Sequence, residues 1–172
     1  MKFLTKFKQL GLKIDWATLF VGWKGLKNYS YLVSIEEIIE FATDYLSKNP
    51  ELNSPTVMDI VISEVREIDI INQALYKLVQ NKEYSLKIAL RKWRLILLLE
   101  IMESLDENKY VDSLFSLSDF WISFEYPYDM PMDIQGLENK ITPEKYYTKE
   151  NCRKIIEDHK DWIIQEKLLL SK

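Results

Sequence analysis

Carboxylates are plentiful in this sequence, so pairs of them can always be found, but the side chains most often used as nucleophile and base are few. The one histidine, His159, and the one cysteine, Cys152, lie seven residues apart. On a helix that separation is two turns, or roughly 10.8 Å along the axis. Because a thiol nucleophile needs its base within hydrogen-bonding reach, the spacing argues against a catalytic dyad. We expect an inert cysteine and a partly buried or surface histidine.

The sequence does not indicate a metal or phosphate site either. A zinc site with ordinary ligands would need further histidines or cysteines at ligand spacing. Glu125, Asp129 and Asp133 are the best candidates for a hard cation, but this segment lacks oxygen ligands at alternate positions and a turn glycine. Gly22 and Gly25 are not followed by the Gly-Lys-Ser/Thr pattern of a phosphate-binding loop. We therefore expect no metal, no cofactor and no enzymatic activity.

A basic cluster lies in the middle of the chain, where Lys87, Arg91, Lys92 and Arg94 surround Trp93. Such a cluster can bind nucleic acid when the whole domain is basic. This chain instead has a pI of about 5.2. We expect these bases to pair with acidic residues of neighbouring helices, and we expect no nucleic-acid partner.

The most unusual segment is 121–133, where aromatic residues, methionines and acids alternate around two prolines. Aromatic side chains supply large rigid contact areas and are typical anchors of protein interfaces. Methionine adapts to irregular surfaces. Two interpretations remain open: the segment binds a basic protein, or it packs across the helices and closes their end while its acids face water.

The charge pattern leaves a similar choice. The net charge is −4, but residues 101–138 carry nine acids and one base. These acids either alternate with lysine and arginine side chains from other parts of the chain on a solvated surface, or they form a face for a basic partner. The residues that we expect to bind a partner are Asp112, Asp119, Glu125, Tyr126, Tyr128, Asp129 and Asp133.

The elements that position these residues are predicted to be helices. Apolar residues recur at intervals of three and four, and glycine is scarce. Asp15, Ser34 with Glu37, Ser54 before Pro55, and Thr148 are typical helix starts. After short helices over 3–10 and 16–24, the predicted helices cover about 35–48, 54–65, 69–81, 83–104, 106–124 and 149–170.

The predicted fold is all-α: an antiparallel bundle or a short stack of helical hairpins, with about seven helices in one domain over 1–172. Residues 125–147, which contain three prolines and a glycine, are predicted to form a long ordered loop. With one cysteine, no recognisable export signal and no transmembrane segment, we expect a cytoplasmic protein that does not bind membranes. Either a monomer or a homodimer is compatible with the pattern.

Several short aromatic motifs resemble a known bacterial family. They are Asp15-Trp16 with Phe20-Val21-Gly22-Trp23, Phe41-Ala42-x-x-Tyr45-Leu46, Lys92-Trp93, and Phe124-Glu125-Tyr126-Pro127-x-Asp129-Met130. Together they are similar to the family called domain of unknown function 2247, over most of the chain. The resemblance supplies no catalytic residues.

The resemblance implies a function by association. Families of this size and style commonly occur as immunity proteins beside bacterial toxins. The first hypothesis is therefore an inhibitor that neutralises a toxin domain, many of which are basic, through an acidic, aromatic surface. The alternative is a non-enzymatic helical adaptor or regulatory protein in an intracellular complex.

Overall fold

The computed structural model describes residues 3–52, 54–63, 67–80 and 85–171. Within them the chain is all-α, which confirms the predicted fold class, and no extended strand occurs. The helices among these residues are α1 (Phe3–Gln9), α2 (Trp16–Lys24), α3 (Ile35–Lys48), α4 (Pro55–Ile62), α5 (Ile68–Val79), α6 (Leu86–Ser104), α7 (Tyr110–Ser123), α8 (Pro143–Tyr146) and α9 (Lys149–Leu170).

The chain divides into two compact units, Met1–Trp93 and Arg94–Lys172, and the division falls inside α6. In the first unit α3 packs against α4, and α5 packs against both α4 and α2. In the second unit α7 packs against α9. The expectation of a single domain over 1–172 stays a prediction.

The predicted helix starts are confirmed by their hydrogen bonds. Asp15 accepts the backbone N–H of Thr18 at 2.8 Å at the start of α2. Ser34 and Glu37 form a complete capping box on α3, each accepting a backbone N–H from the other. Ser54 caps α4 and Thr148 caps α9. Local side-chain chemistry therefore decides where these helices begin.

Two of the predicted elements differ in detail. The segment predicted as one helix over 106–124 begins with a 3₁₀ turn, Glu107–Lys109, because Asp106 accepts the N–H of Asn108 and tightens the first turn. The predicted loop 125–147 contains the short helix α8, which Pro143 starts at its first position. Residues 64–65, 81 and 83–84 of the predicted helices lie outside the described residues.

The core of the first unit is built around Trp93. Its ring is fully buried, and its indole N–H donates to the carbonyl of Thr18 at 2.7 Å. Phe7 meets the ring edge-on with centroids 4.8 Å apart, an arrangement that aromatic pairs prefer. Gly22 of α2 lies so close to this ring that a side chain has no room.

A buried cation also belongs to this core. Lys92 is 4% exposed. Its Nζ donates to the carbonyl of Lys13 at 2.7 Å and to Asp15 Oδ2 at 3.2 Å. Because a buried ammonium without partners is costly, these two acceptors explain how α6 carries a lysine into the interior of the first unit.

No helix among the described residues combines the length and the apolar character needed to cross a bilayer.

The position of Gly22 leads to a prediction about packing. A Cβ atom at this residue would lie 2.4 Å from Cζ2 of Trp93 and 2.5 Å from Cγ2 of Val33. In a helix, alanine is normally favoured over glycine by about 1 kcal/mol. Here the clash reverses that preference, and we expect Gly22→Ala to lower the free energy of unfolding by about 1–3 kcal/mol.

Urea denaturation checks this expectation, with Ser47→Ala on the exposed side of α3 as the control. The control should change the free energy of unfolding by less than about 0.5 kcal/mol. A Gly22→Ala protein that is as stable as the original would show that the packing of α2 against Trp93 is loose.

Candidate partner-binding surface

The surface that bears the predicted binding residues is organised from inside the second unit, by Arg94. Residues 92–98 of α6 are all buried, and Arg94 is 6% exposed. A buried guanidinium needs carboxylate partners because burying an unpaired charge is costly. The residues that surround Arg94 are therefore those that stabilise its charge.

Asp129 supplies the main pairing. Arg94 Nη1 donates to Asp129 Oδ1 at 3.0 Å, and Nη2 donates to Oδ2 at 2.6 Å. Such a two-bond fork is stronger and more directional than a single contact. Glu166 of α9, only 3% exposed, places a carboxylate oxygen 3.6 Å from the same Nη2. Arg94 therefore ties the 125–147 loop and α9 to α6.

Two indole rings lie beside the guanidinium of Arg94. Its central carbon is 5.6 Å from the centre of the Trp121 ring and 5.0 Å from that of Trp162. The rings meet edge-to-face, with centroids 5.4 Å apart. Arg94 Nε is buried without a hydrogen-bond acceptor among the described residues. The electron-rich faces of the indoles offset part of that cost.

The end of α7 sets the direction of the loop. The N–H of Tyr126 donates to the carbonyl of Trp121, and the N–H of Glu125 donates to that of Ile122. This pair of bonds is a Schellman cap, in which the first residue beyond the helix adopts a left-handed conformation and is usually glycine. Here Glu125 and Tyr126 have φ values of 60° and 53°, which costs about 1–2 kcal/mol for each residue.

A tight turn, Pro127–Met130, follows and is closed by the N–H of Met130 donating to the carbonyl of Pro127 at 3.0 Å. We call it the Tyr128 turn. Its two central residues point in different directions: Asp129 reaches Arg94, whereas Tyr128 is 99% exposed. The fork beneath the turn therefore holds an aromatic side chain out in solvent.

The remainder of the loop packs inward. Met132, Ile134 and Tyr146 are buried. Asn139 stabilises the backbone of this part of the loop, because its side-chain amide donates to the carbonyls of Ile134 and Leu137 at 2.7 and 2.8 Å. Beyond the turn the loop thus contributes Met132, Ile134 and Tyr146 to the interior, whereas Glu125, Tyr126 and Tyr128 face solvent. Whether the exposed residues bind a protein stays a prediction.

The predicted binding residues fall into three places. Glu125, Tyr126 and Tyr128 are exposed together at the end of α7. Asp112 and Asp119 are exposed two turns apart on α7 itself, and Asp133 is exposed further along the loop. Asp129 differs from the other six because an internal partner engages its carboxylate, so its side chain supports the turn from below. A role for any of the seven in binding stays a prediction.

The outward face of α7 between the two aspartates is partly apolar. Phe115 is 50% exposed, and its ring stacks on that of Tyr147 with centroids 5.1 Å apart. Asp112 and Asp119 therefore flank an aromatic pair. This combination of acids and aromatic rings continues the character of the exposed residues at the end of the helix.

The structural roles of Arg94 and His159 are not evident from the sequence. Arg94 belongs to a basic cluster with Arg91 and Lys92 and directly precedes the apolar run 95–99, and only its place at the start of that run indicates a buried charge, which is rare without a partner. His159 was expected to be partly buried or at the surface, and that expectation was wrong. It is 0% exposed, because it lies on the side of α9 that packs against α7.

The single histidine and the single cysteine are both buried. His159 uses both ring nitrogens, since Nε2 accepts the indole N–H of Trp121 at 2.8 Å and Nδ1 lies 2.6 Å from the carbonyl of Ile155. Burial raises the pKa of the Cys152 thiol, and the charge of Glu107 adds to the effect. A thiol of this kind is a poor nucleophile at neutral pH.

Within residues 3–52, 54–63, 67–80 and 85–171, no three His, Cys, Asp or Glu side chains form a group that could hold a metal ion.

The aromatic motifs predicted a family, and comparison with family models tests that prediction. The model described as "Uncharacterized protein conserved in bacteria" matches residues 4–167. The chain belongs to the domain of unknown function 2247 family. The match includes both units and the whole candidate surface. No curated protein and no solved structure matches the chain.

The fork between Arg94 and Asp129 leads to a prediction about stability. In Asp129→Asn the side chain keeps its shape and loses its charge, which leaves the guanidinium with Glu166 alone. We expect the free energy of unfolding to fall by about 2–3 kcal/mol, the lower part of the range for breaking a buried charge pair, because the Asp129 side chain is 28% exposed.

Thermal and urea denaturation measure the change, and Asp119→Asn on the exposed face of α7 is the matched control. The control removes the same charge without touching Arg94, so its effect should stay within about 0.5 kcal/mol. Equal stabilities for the two variants would show that Asp129 does not hold the turn.

Proposed function

We propose that this chain is a non-enzymatic, protein-binding inhibitor: an immunity protein that neutralises a basic toxin domain in the bacterial cytoplasm. Its binding surface is the end of α7 and the Tyr128 turn, with the outward face of α7 beside them.

The observation that carries the proposal is the exposure of Tyr128. A tyrosine ring that is 99% exposed leaves a large apolar area in water, which is unfavourable for the isolated protein. Its turn is nevertheless braced from below by a buried ion pair and follows two residues in left-handed conformations. Strain that persists around an exposed aromatic residue is typical of a site preorganised for a partner.

The charge around Tyr128 favours a basic partner. Glu125 lies three residues before it, and Asp112 and Asp119 occupy the outward face of the preceding helix. Exposed carboxylates of this kind contribute little to folding stability. On a binding surface they speed the encounter with a positively charged protein and reject acidic ones.

The chemistry of the interior agrees with binding in place of catalysis. The only histidine is buried with both ring nitrogens engaged, so it is not available to accept a proton from a substrate. The only cysteine is buried, and burial raises its pKa. Neither side chain supports a general base or a nucleophile.

The alternative, a helical adaptor, draws support from a different feature. Met58 and Ile62 lie one turn apart on α4 and are 48% and 69% exposed. An apolar pair of this kind would suit a second protein contact in the first unit. An adaptor of this type would keep its partners when Tyr128 is removed.

The two functions are separated by comparing two tyrosine variants. The tagged chain is used to capture proteins from a lysate of the source bacterium, as the original sequence, as Tyr128→Ala and as Tyr31→Ala. Tyr31 is the matched control because it is 71% exposed but lies in the first unit. We expect one partner with a basic toxin domain, and we expect Tyr128→Ala to weaken its binding about 30-fold, as for an interface anchor worth 2 kcal/mol.

Growth of cells that express the captured domain then tests inhibition. The original chain and Tyr31→Ala should restore growth, and Tyr128→Ala should do so poorly. Equal binding by all three proteins, or a captured domain whose toxicity the chain does not suppress, would contradict the proposal.

A further inference from the structure

The buried contact between Trp121 and His159 fixes the protonation state of the imidazole. The indole N–H of Trp121 can only donate, so Nε2 of His159 must accept it at 2.8 Å. The proton of the neutral ring is therefore on Nδ1, which donates to the carbonyl of Ile155 at 2.6 Å. Every polar atom of the pair is satisfied in this one arrangement.

Protonation of His159 is incompatible with that arrangement. The imidazolium carries a hydrogen on both nitrogens. Its Nε2–H would then point at the N–H of Trp121, and two donors would face each other with no acceptor between them. The indole or the imidazole has to move, because the ring is 0% exposed and no solvent can take up the contact.

Trp121 is also the residue that connects the end of α7 to the Tyr128 turn. Its carbonyl accepts the N–H groups of Phe124 and Tyr126. Its ring lies 5.6 Å from the guanidinium of Arg94, which holds Asp129. A displacement of Trp121 thus reaches the turn along the backbone and through the ion pair.

We propose that His159 is a pH-sensitive latch for the Tyr128 turn. While His159 is neutral, Trp121 stays in place and Tyr128 is presented on a rigid turn. When His159 gains a proton, Trp121 is released and the turn becomes mobile. The latch itself needs no partner; only its consequence, release of a bound protein in acid, rests on the proposed function.

Charged groups lie on several elements near the contact between Trp121 and His159. Asp158, the neighbour of His159 on α9, favours the protonated form. Arg94 of α6 lies beside the indole of Trp121. Glu166 faces Arg94, and Glu107 of the 3₁₀ turn pairs with Arg153. The residue of α7 that contacts His159 is Trp121, whose indole carries no charge.

Burial is the largest of these effects, and it lowers the pKa of His159 below its ordinary value of 6.5. A lowered pKa in the folded protein means that the unfolded chain binds the proton more readily. The neutral contact therefore stabilises the second unit fully above pH 6.5. That stabilisation is lost as the pH falls from 6.5 towards the lower pKa of the folded state.

Proton–nitrogen NMR of the whole chain, from pH 7.5 down to the pH at which the chain unfolds, tests the latch without any partner. The single histidine makes the imidazole titration unambiguous. We expect a His159 midpoint below 6.5 and a shift of the Trp121 indole N–H with that midpoint. The protection factors of the Tyr126 and Met130 amides, which are exchange rates relative to the unfolded chain at the same pH, should fall at least about tenfold, because these N–H groups bind the carbonyls of Trp121 and Pro127. Trp93, whose indole N–H binds the carbonyl of Thr18, is the internal control and should not respond.

Two results would overturn the proposal. In the first, the Trp121 indole titrates with His159 while the amides of Tyr126 and Met130 stay protected, so that the histidine is only a core residue. In the second, the Trp93 indole changes with the same midpoint, so that the whole chain unfolds. Either result leaves the tyrosine capture experiment unaffected, so the two proposals fail separately.

The variant His159→Gln separates the histidine from other acid-sensitive groups. Its amide oxygen can accept the indole N–H of Trp121 but does not titrate, so the amides of Tyr126 and Met130 should stay protected at every pH at which the chain is folded. A turn that still loosens over the same range would assign the response to a group other than His159 and contradict the latch. If this variant does not fold, the comparison of midpoints in the original chain decides.

Discussion

The second unit depends on the neutralisation of one buried cation. Arg94 is one of residues 92–98 of α6, all of which are buried. A guanidinium in that position needs carboxylates and aromatic faces beside it to stabilise its charge. Asp129 comes to it from the loop after α7 and Glu166 comes from α9. The indoles of Trp121 and Trp162 lie beside it. The path of the loop and the exposure of Tyr128 follow from that demand.

The first unit meets the same problem by a different route. Lys92, two residues earlier on α6, binds the carbonyl of Lys13 and the carboxylate of Asp15. Asp15 is at the same time the N-cap of α2, so one carboxylate both starts a helix and neutralises a buried ammonium. A lysine suits this site because an ammonium binds separate acceptors, whereas the planar guanidinium of Arg94 suits a two-bond fork.

The sequence allowed the helices to be predicted because their starts are local. A cap such as Ser34 with Glu37 needs only residues three positions apart, and all the predicted caps are present. The fork of Arg94 could not be predicted in this way, because its partner Asp129 is 35 residues away. Asp129 is predicted to be a surface acid because its segment is rich in acids and aromatic residues. Only the fold shows that its carboxylate points inward to Arg94.

The burial of His159 was missed for a related reason. Its neighbours Lys160 and Asp161 are exposed, and such a context is typical of a solvated helix face. The contact that buries it comes from Trp121, 38 residues earlier. By contrast, the exposure of Tyr126 and Tyr128 agrees with their selection, since aromatic residues among acids and prolines are uncommon in a core.

Arg94 and Asp129 act as one unit that holds the Tyr128 turn. A double-mutant cycle measures this directly, using urea denaturation of Arg94→Met, Asp129→Asn and the protein with both changes. We expect a coupling free energy of at least about 1.5 kcal/mol, as found for close charge pairs, so that the second change costs little once the first is made. If the two effects add to within about 0.5 kcal/mol, the residues act independently and the fork does not organise the surface.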